Sequence, residues 1–204
     1  MKMIKISLLV LLTVFIALPA VSLDLDSLKK DGYTLTKLDL NTTRNLNFHD
    51  LGASGAIRSW GGSEVRQVVT TPARVQGEKS LKIQTGNNLW NSCFFHIYGM
   101  DTPIPAGSPH IGKMFVVSAW VYLENAIDDP AEGPYLSMTY IQNPETRVRT
   151  FLPEKAPVNR WIQIVTPIYT VAEGHGRFNI VVNGGYVMRT TLYFANFEVY
   201  QLTR

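Results

Sequence analysis

Beyond Gly32 the chain shows no helical period, and short runs rich in Val, Ile, Thr, Phe, Tyr and Trp follow one another between clusters of Gly, Pro, Asn and Asp. Nine such runs predict strands, at 66–71, 80–85, 92–98, 113–123, 135–141, 147–152, 160–169, 177–182 and 191–202. The clusters between them, at 61–62, 86–88, 103–109, 128–134, 143–144, 173–176 and 183–185, are built from residues that tight reversals need. Alternation with period two is clear at 177–182, where Phe178, Ile180 and Val182 share a side. In the last run Tyr193, Ala195, Phe197 and Val199 fall on one side, and Asn196 and Glu198 on the other, as in a half-buried antiparallel strand. The runs around Trp120 and Trp161 are apolar on both sides, which predicts central strands. The whole predicts an all-β fold, an antiparallel β-sandwich or barrel, with Leu25–Lys30 either one short helix or a linker.

The N-terminus changes the picture of where this domain works. Lys2 and Lys5 precede an apolar run from Ile6 to Leu18, broken by Ser7 and Thr13, which closes on Pro19, Ala20, Val21 and Ser22. Small residues at Ala20 and Ser22 predict signal-peptide cleavage before Leu23. The apolar run is shorter than the roughly 20 residues of a membrane span, so no stable span is expected after cleavage. The expected organisation is a signal peptide at 1–22, an extension or short helix at 23–42 and a sandwich domain at 43–204, in a protein that is secreted, periplasmic or held in the cell envelope.

Cleavage removes two lysines and no acids, so the formal net charge falls from +3 to +1. The remaining Lys and Arg are scattered singly, which argues against a nucleic-acid partner. Cys93 is the single cysteine, so no intramolecular disulfide is available and stability must come from burial. In the run Ser92-Cys93-Phe94-Phe95 it reads as a small apolar residue.

Several segments in chain order carry a resemblance. Asn47-Phe48-His49-Asp50-Leu51-Gly52 with Trp60 beyond it, Gly77-Glu78-Lys79-Ser80-Leu81-Lys82-Ile83, Val116-Val117-Ser118-Ala119-Trp120-Val121, Arg160-Trp161 and the closing Tyr193-Phe194-Ala195-Asn196-Phe197-Glu198-Val199 together resemble the galactose-binding-like jelly-roll carbohydrate-binding modules attached to bacterial cellulases and xylanases. The resemblance covers residues 45–202 and implies a jelly-roll β-sandwich that binds a polysaccharide without catalysis. It also implies a structural calcium, but His49 and Asn196 stand where that family carries Glu and Asp. Losing two carboxylates removes charge that a hard cation needs, so calcium binding is expected to be weakened or absent, and no other cofactor is expected.

A glycan site needs an aromatic face for the apolar side of a sugar ring and planar polar groups for its hydroxyls. Trp90, flanked by Asn87, Asn88 and Asn91, reads as that ring or as a cap on the edge of the core. If Tyr140 faces the same concavity, Gln142 does too, and Arg149 and Asn183 would add hydrogen bonds from neighbouring strands, although each also fits a solvated strand position or a packed tyrosine. A catalytic centre is not expected. The acids gather in turns, the four histidines are dispersed, and neither a Gly-x-Ser-x-Gly elbow nor a His-Glu-x-x-His motif occurs. A jelly-roll lyase or glycosidase assembled from distant strands is the enzymatic alternative. An envelope or surface assembly role is the other, in which 135–141 and the terminal strand offer edges to a protein partner.

Overall fold

The computed structural model describes residues 23–40, 46, 48, 61–62, 66–70, 79–84, 92–96, 104–126, 135–140, 147–153, 155–174, 178–183 and 191–204. The elements are α1 (Leu25–Lys30), β1 (Thr34–Lys37), β2 (Gly61–Gly62), β3 (Arg66–Thr70), β4 (Lys79–Gln84), β5 (Ser92–His96), β6 (Met114–Leu123), β7 (Tyr135–Tyr140), β8 (Arg147–Phe151), β9 (Trp161–Val165), β10 (Tyr169–Thr170), β11 (Phe178–Asn183) and β12 (Thr191–Thr203). All nine expected strands are present, with 160–169 divided into β9 and β10.

The strands form two antiparallel sheets. The smaller runs β2-β5-β11-β7-β8, and the larger has β6 and β12 paired at its centre. On the far flank of β6, β9 and β10 lie end to end; on the far flank of β12, β4 and β1 do the same, and β3 lies beyond β4. Thr166 closes the gap between β9 and β10. Its N–H donates to the Val117 carbonyl at 2.9 Å, and its buried Oγ1 accepts from the Val117 N–H at 3.0 Å.

The core lies between the sheets. On β6 it takes Phe115, Val117, Ala119, Val121 and Leu123; from β4, Leu81 and Ile83; from β12, Leu192, Phe194, Phe197 and Val199; and from the smaller sheet, Leu136. Burying a side chain of this size contributes roughly 1.5–3 kcal/mol, so the alternation of the two longest strands carries much of the fold.

Strict alternation fails on β12. The register against β6 shifts between Ala195 and Glu198, and Asn196 takes a φ of 49°. Asn tolerates this left-handed conformation better than other side-chain-bearing residues, and the extra residue reverses the phase of the strand. Tyr193 and Ala195 therefore face outward while Phe197 and Val199 enter the core, where Phe197 stacks on Phe194 with centroids 6.2 Å apart. The expectation that all four share a side is corrected by this bulge.

Three further expectations change. Among the described residues β9 pairs only with β6, so the Trp161 strand is peripheral rather than central. β7 lies between β11 and β8, and β12 between β6 and its β4–β1 flank, so neither is the free edge suggested for pairing with a protein partner. Residues 23–42, read as an extension or short helix, hold both α1 and β1, and β1 is a strand of the larger sheet in register from Thr34↔Thr203 to Lys37↔Tyr200.

α1 starts where the Asp24 side chain accepts the Ser27 N–H at 2.6 Å, an N-cap. That hydrogen bond holds the Asp24 carboxyl below its ordinary pKa of 3.8. Leu28, on the inner side of the helix, packs with Val116, Val165 and Leu202 against the outer face of the larger sheet. No described helix is long and apolar enough to cross a membrane.

Candidate functional site

Of the residues expected from the sequence to bind a glycan, Tyr140, Arg149 and Asn183 are described. Trp90 and Gln142 lie outside the described residues. In the smaller sheet Arg149 of β8 pairs with Ser137 of β7, which pairs with Val181 of β11, so Arg149 shares one alternation with Asn183 two residues further on. Tyr140 pairs with Phe178 at the other end of β11 and falls on the opposite alternation, that of the buried Leu136. Tyr140 and Asn183 are thus five residues apart along the ladder, roughly 17 Å. Arg149 is exposed.

Four aromatic side chains, Trp120, Tyr122, Trp161 and Tyr193, meet on the outer face of the larger sheet. Since the odd-numbered residues of β6 fill the core, Trp120 and Tyr122 must point away from it. Register then builds two adjacent rows. Tyr193 of β12, Tyr122 of β6 and Trp161 of β9 are directly paired across the strands, and Lys82 of β4 extends the row beyond Tyr193. One step along lie Ala195, Trp120 and Gln163.

Tyr122 stands between its two neighbours, 5.5 Å from the Trp161 ring at a tilt of 52° and 5.9 Å from the Tyr193 ring at 73°. These are the offset and edge-to-face separations that aromatic quadrupoles favour. Trp161 and Tyr193 are only 8% and 7% exposed, so they form the floor of the patch, and the half-buried Trp120 and Tyr122 present ring surface to solvent.

Polar groups rim the rings. The Tyr193 hydroxyl donates to Glu124 Oε1, and the Tyr122 hydroxyl to Asn159 Oδ1 at 3.4 Å. Burial, reinforced by the Glu124 carboxylate, pushes the Tyr193 phenol up from 10.0 to about 12. Gln163 and Lys82 complete the edge in register with the rings. Rings with hydrogen-bonding groups at their margin can take a molecule that has one apolar face and hydroxyls around its circumference.

Sequence reasoning passed over this patch because it read the Trp120 and Trp161 strands as buried on both sides. The available signal was the set of aromatics two apart on β6, Trp120 and Tyr122, opposite an alternation already filled by Val117, Ala119, Val121 and Leu123. Among the described residues no three His, Cys, Asp or Glu side chains gather as a metal site would require. His49 lies outside them, and Asn196 occupies the β12 bulge.

No family model matches the sequence, and no curated protein matches it. Solved structures do. A family 16 carbohydrate-binding module is similar over 76% of this chain and 99% of its own, at 15% identity and a TM-score of 0.50. An arabinose-bound family 51 α-L-arabinofuranosidase is similar over 78% of this chain but 26% of its own length, at 12% identity and a TM-score of 0.52. The xylan-binding domain CBM22-1 of Paenibacillus barcinonensis Xyn10C is similar over 77% of this chain and 92% of its own, at 12% identity and a TM-score of 0.47. The chain shares the jelly-roll β-sandwich fold of carbohydrate-binding modules.

Proposed function

We propose that this chain is an exported, noncatalytic glycan-binding module that holds a polysaccharide by ring stacking and hydrogen bonds. The observation that carries the reading is the outward patch of Trp120, Tyr122, Trp161 and Tyr193 with its polar rim, on a fold shared with carbohydrate-binding modules. In this arrangement Trp120 and Tyr122 stack on the apolar faces of sugar rings, Trp161 and Tyr193 brace them, and Gln163 and Asn159 take hydroxyls. Arg149 and Asn183, which share one alternation of the smaller sheet, are proposed as a separate set of hydrogen-bonding contacts, with Trp90 and Gln142 added on sequence grounds.

The decisive experiment is a glycan array probed with the protein lacking residues 1–22. Retention on a defined class of polysaccharide is expected, and no retention on any glycan would overturn the reading. Trp120→Ala and Trp90→Ala then apportion binding between the patch and the loop. Export is tested by sequencing the N-terminus of the protein recovered outside the cytoplasm, which should begin at Leu23. Incubation with the retained polysaccharide should release no soluble product. Calcium is proposed to be dispensable, so a chelator should leave the melting temperature unchanged.

A further inference from the structure

Between α1 and β9 lies a cleft of about 340 Å³ lined by Asp24, Leu25, Asp26, Lys29, Lys30 and Gln163. Gln163 pairs with Trp120 across the β6–β9 ladder, so it belongs both to the cleft and to the second row of the aromatic patch. We propose that cleft and patch form one continuous site, in which a single neutral glycan chain lies on the rings and continues past Trp120 into the cleft beside α1. This rests on the glycan-binding reading above and deepens it.

Three observations carry the proposal. First, the solvent-facing Tyr122 ring is tilted by 52° against Trp161 and 73° against Tyr193, so these three rings form no coplanar platform for the flat face of a crystalline polysaccharide. A separate chain, able to rotate about each linkage, can present its ring faces to them in turn. Second, the charges of the cleft cancel: two carboxylates face two ammonium groups, Lys29 is paired with Asp26 at 2.9 Å, and Asp24 is engaged as the helix cap. The lining therefore has no net sign with which to select an anionic ligand. Third, the exposed Gln163 side chain makes no hydrogen bond to any described residue and carries a planar amide with both donors and an acceptor, placed where rings give way to cleft. A volume of this size lies at the lower end of small-ligand sites, room enough for the end of a chain rather than its whole length.

The test is titration calorimetry with neutral β-1,4-linked glucose, xylose and mannose oligosaccharides of two to six residues, on wild type, Trp120→Ala and Gln163→Ala, with circular dichroism confirming the fold. Wild-type affinity should rise with chain length. Gln163→Ala should weaken the hexasaccharide at least fivefold more than it weakens the disaccharide, whereas Trp120→Ala should weaken both by the same factor. Binding that Trp120→Ala lowers, but that Gln163→Ala lowers by one factor at every length or not at all, would overturn the continuous site and leave the glycan reading standing. Preference for a uronate-bearing hexasaccharide, lost as salt is raised, would overturn the neutral ligand. Silence from every oligosaccharide, together with an empty glycan array, would overturn both readings.

Discussion

The outer face of the larger sheet has two halves made by the same strands with opposite chemistry. At one end Val116, Val165 and Leu202 are aliphatic and lie under α1, sealed by Leu28. At the other end Trp120, Tyr122, Trp161 and Tyr193 occupy the equivalent alternation. Ser118 and Glu198, paired across β6 and β12, stand at the boundary. Aliphatic surface gains only by leaving water, so it asks for a lid. Aromatic rings with hydroxyl and indole groups can be half-covered and still satisfied. The difference teaches that the N-terminal segment is fitted to one half and stops short of the other.

The largest effect should come from lifting the lid. Leu28→Ala should cost about 2–5 kcal/mol of stability, read from a denaturant titration, because Leu28 is 1% exposed under the helix. The same truncation at half-buried Trp120 should cost much less stability while lowering glycan affinity tenfold or more. If the two variants showed equal stability losses and equal binding, the halves would not differ in function.

A subtler contrast lies in pH. The Tyr193 phenol is raised to about 12 in the folded protein, against 10.0. Its stabilising contribution is complete below pH 10 and is lost as pH rises toward and past 12. Tyr193→Phe should therefore flatten the alkaline side of the melting-temperature profile and lower its neutral plateau, where the hydrogen bond to Glu124 is intact. Tyr200, on the aliphatic half, is also raised, by burial and by its hydrogen bond to Glu198, and should preserve a residual alkaline slope in that variant. The smallest effect belongs to the boundary. Ser118 Oγ is fully buried and has no hydrogen-bond partner among the described residues, so Ser118→Ala should raise stability by about 1 kcal/mol, measured by the same titration.

Most of the sandwich was legible because nine segments combine β-branched and aromatic composition with turn residues at their ends. What escaped had physical causes. β1 is four residues long with exposed alternation, and its hydrogen bonds are made to a strand more than 160 residues away, so no local pattern announces it. Gly61–Gly62 carries no side chains and reads as a turn, yet pairs with β5. The β12 bulge depends on a single Asn that can take a positive φ, and period-two counting runs straight through it. The site was less legible than the fold. Sequence placed Tyr140 with Arg149 and Asn183, which the register separates, and it assigned the Trp120 and Trp161 rings to the core, because an outward aromatic row looks the same as a buried one until the partner strands are known.

The order in which the chain is made gives the β6–β12 pair a further consequence. β12 follows every other described strand in sequence, and β1, β4 and β6 all need it as their hydrogen-bonding neighbour. A ribosome that has finished the first 190 residues has therefore delivered most of the apolar content but no completed larger sheet. The larger sheet cannot be completed until this last segment arrives, and α1 lacks its full seat, to which Leu202 contributes, until the final strand is in place.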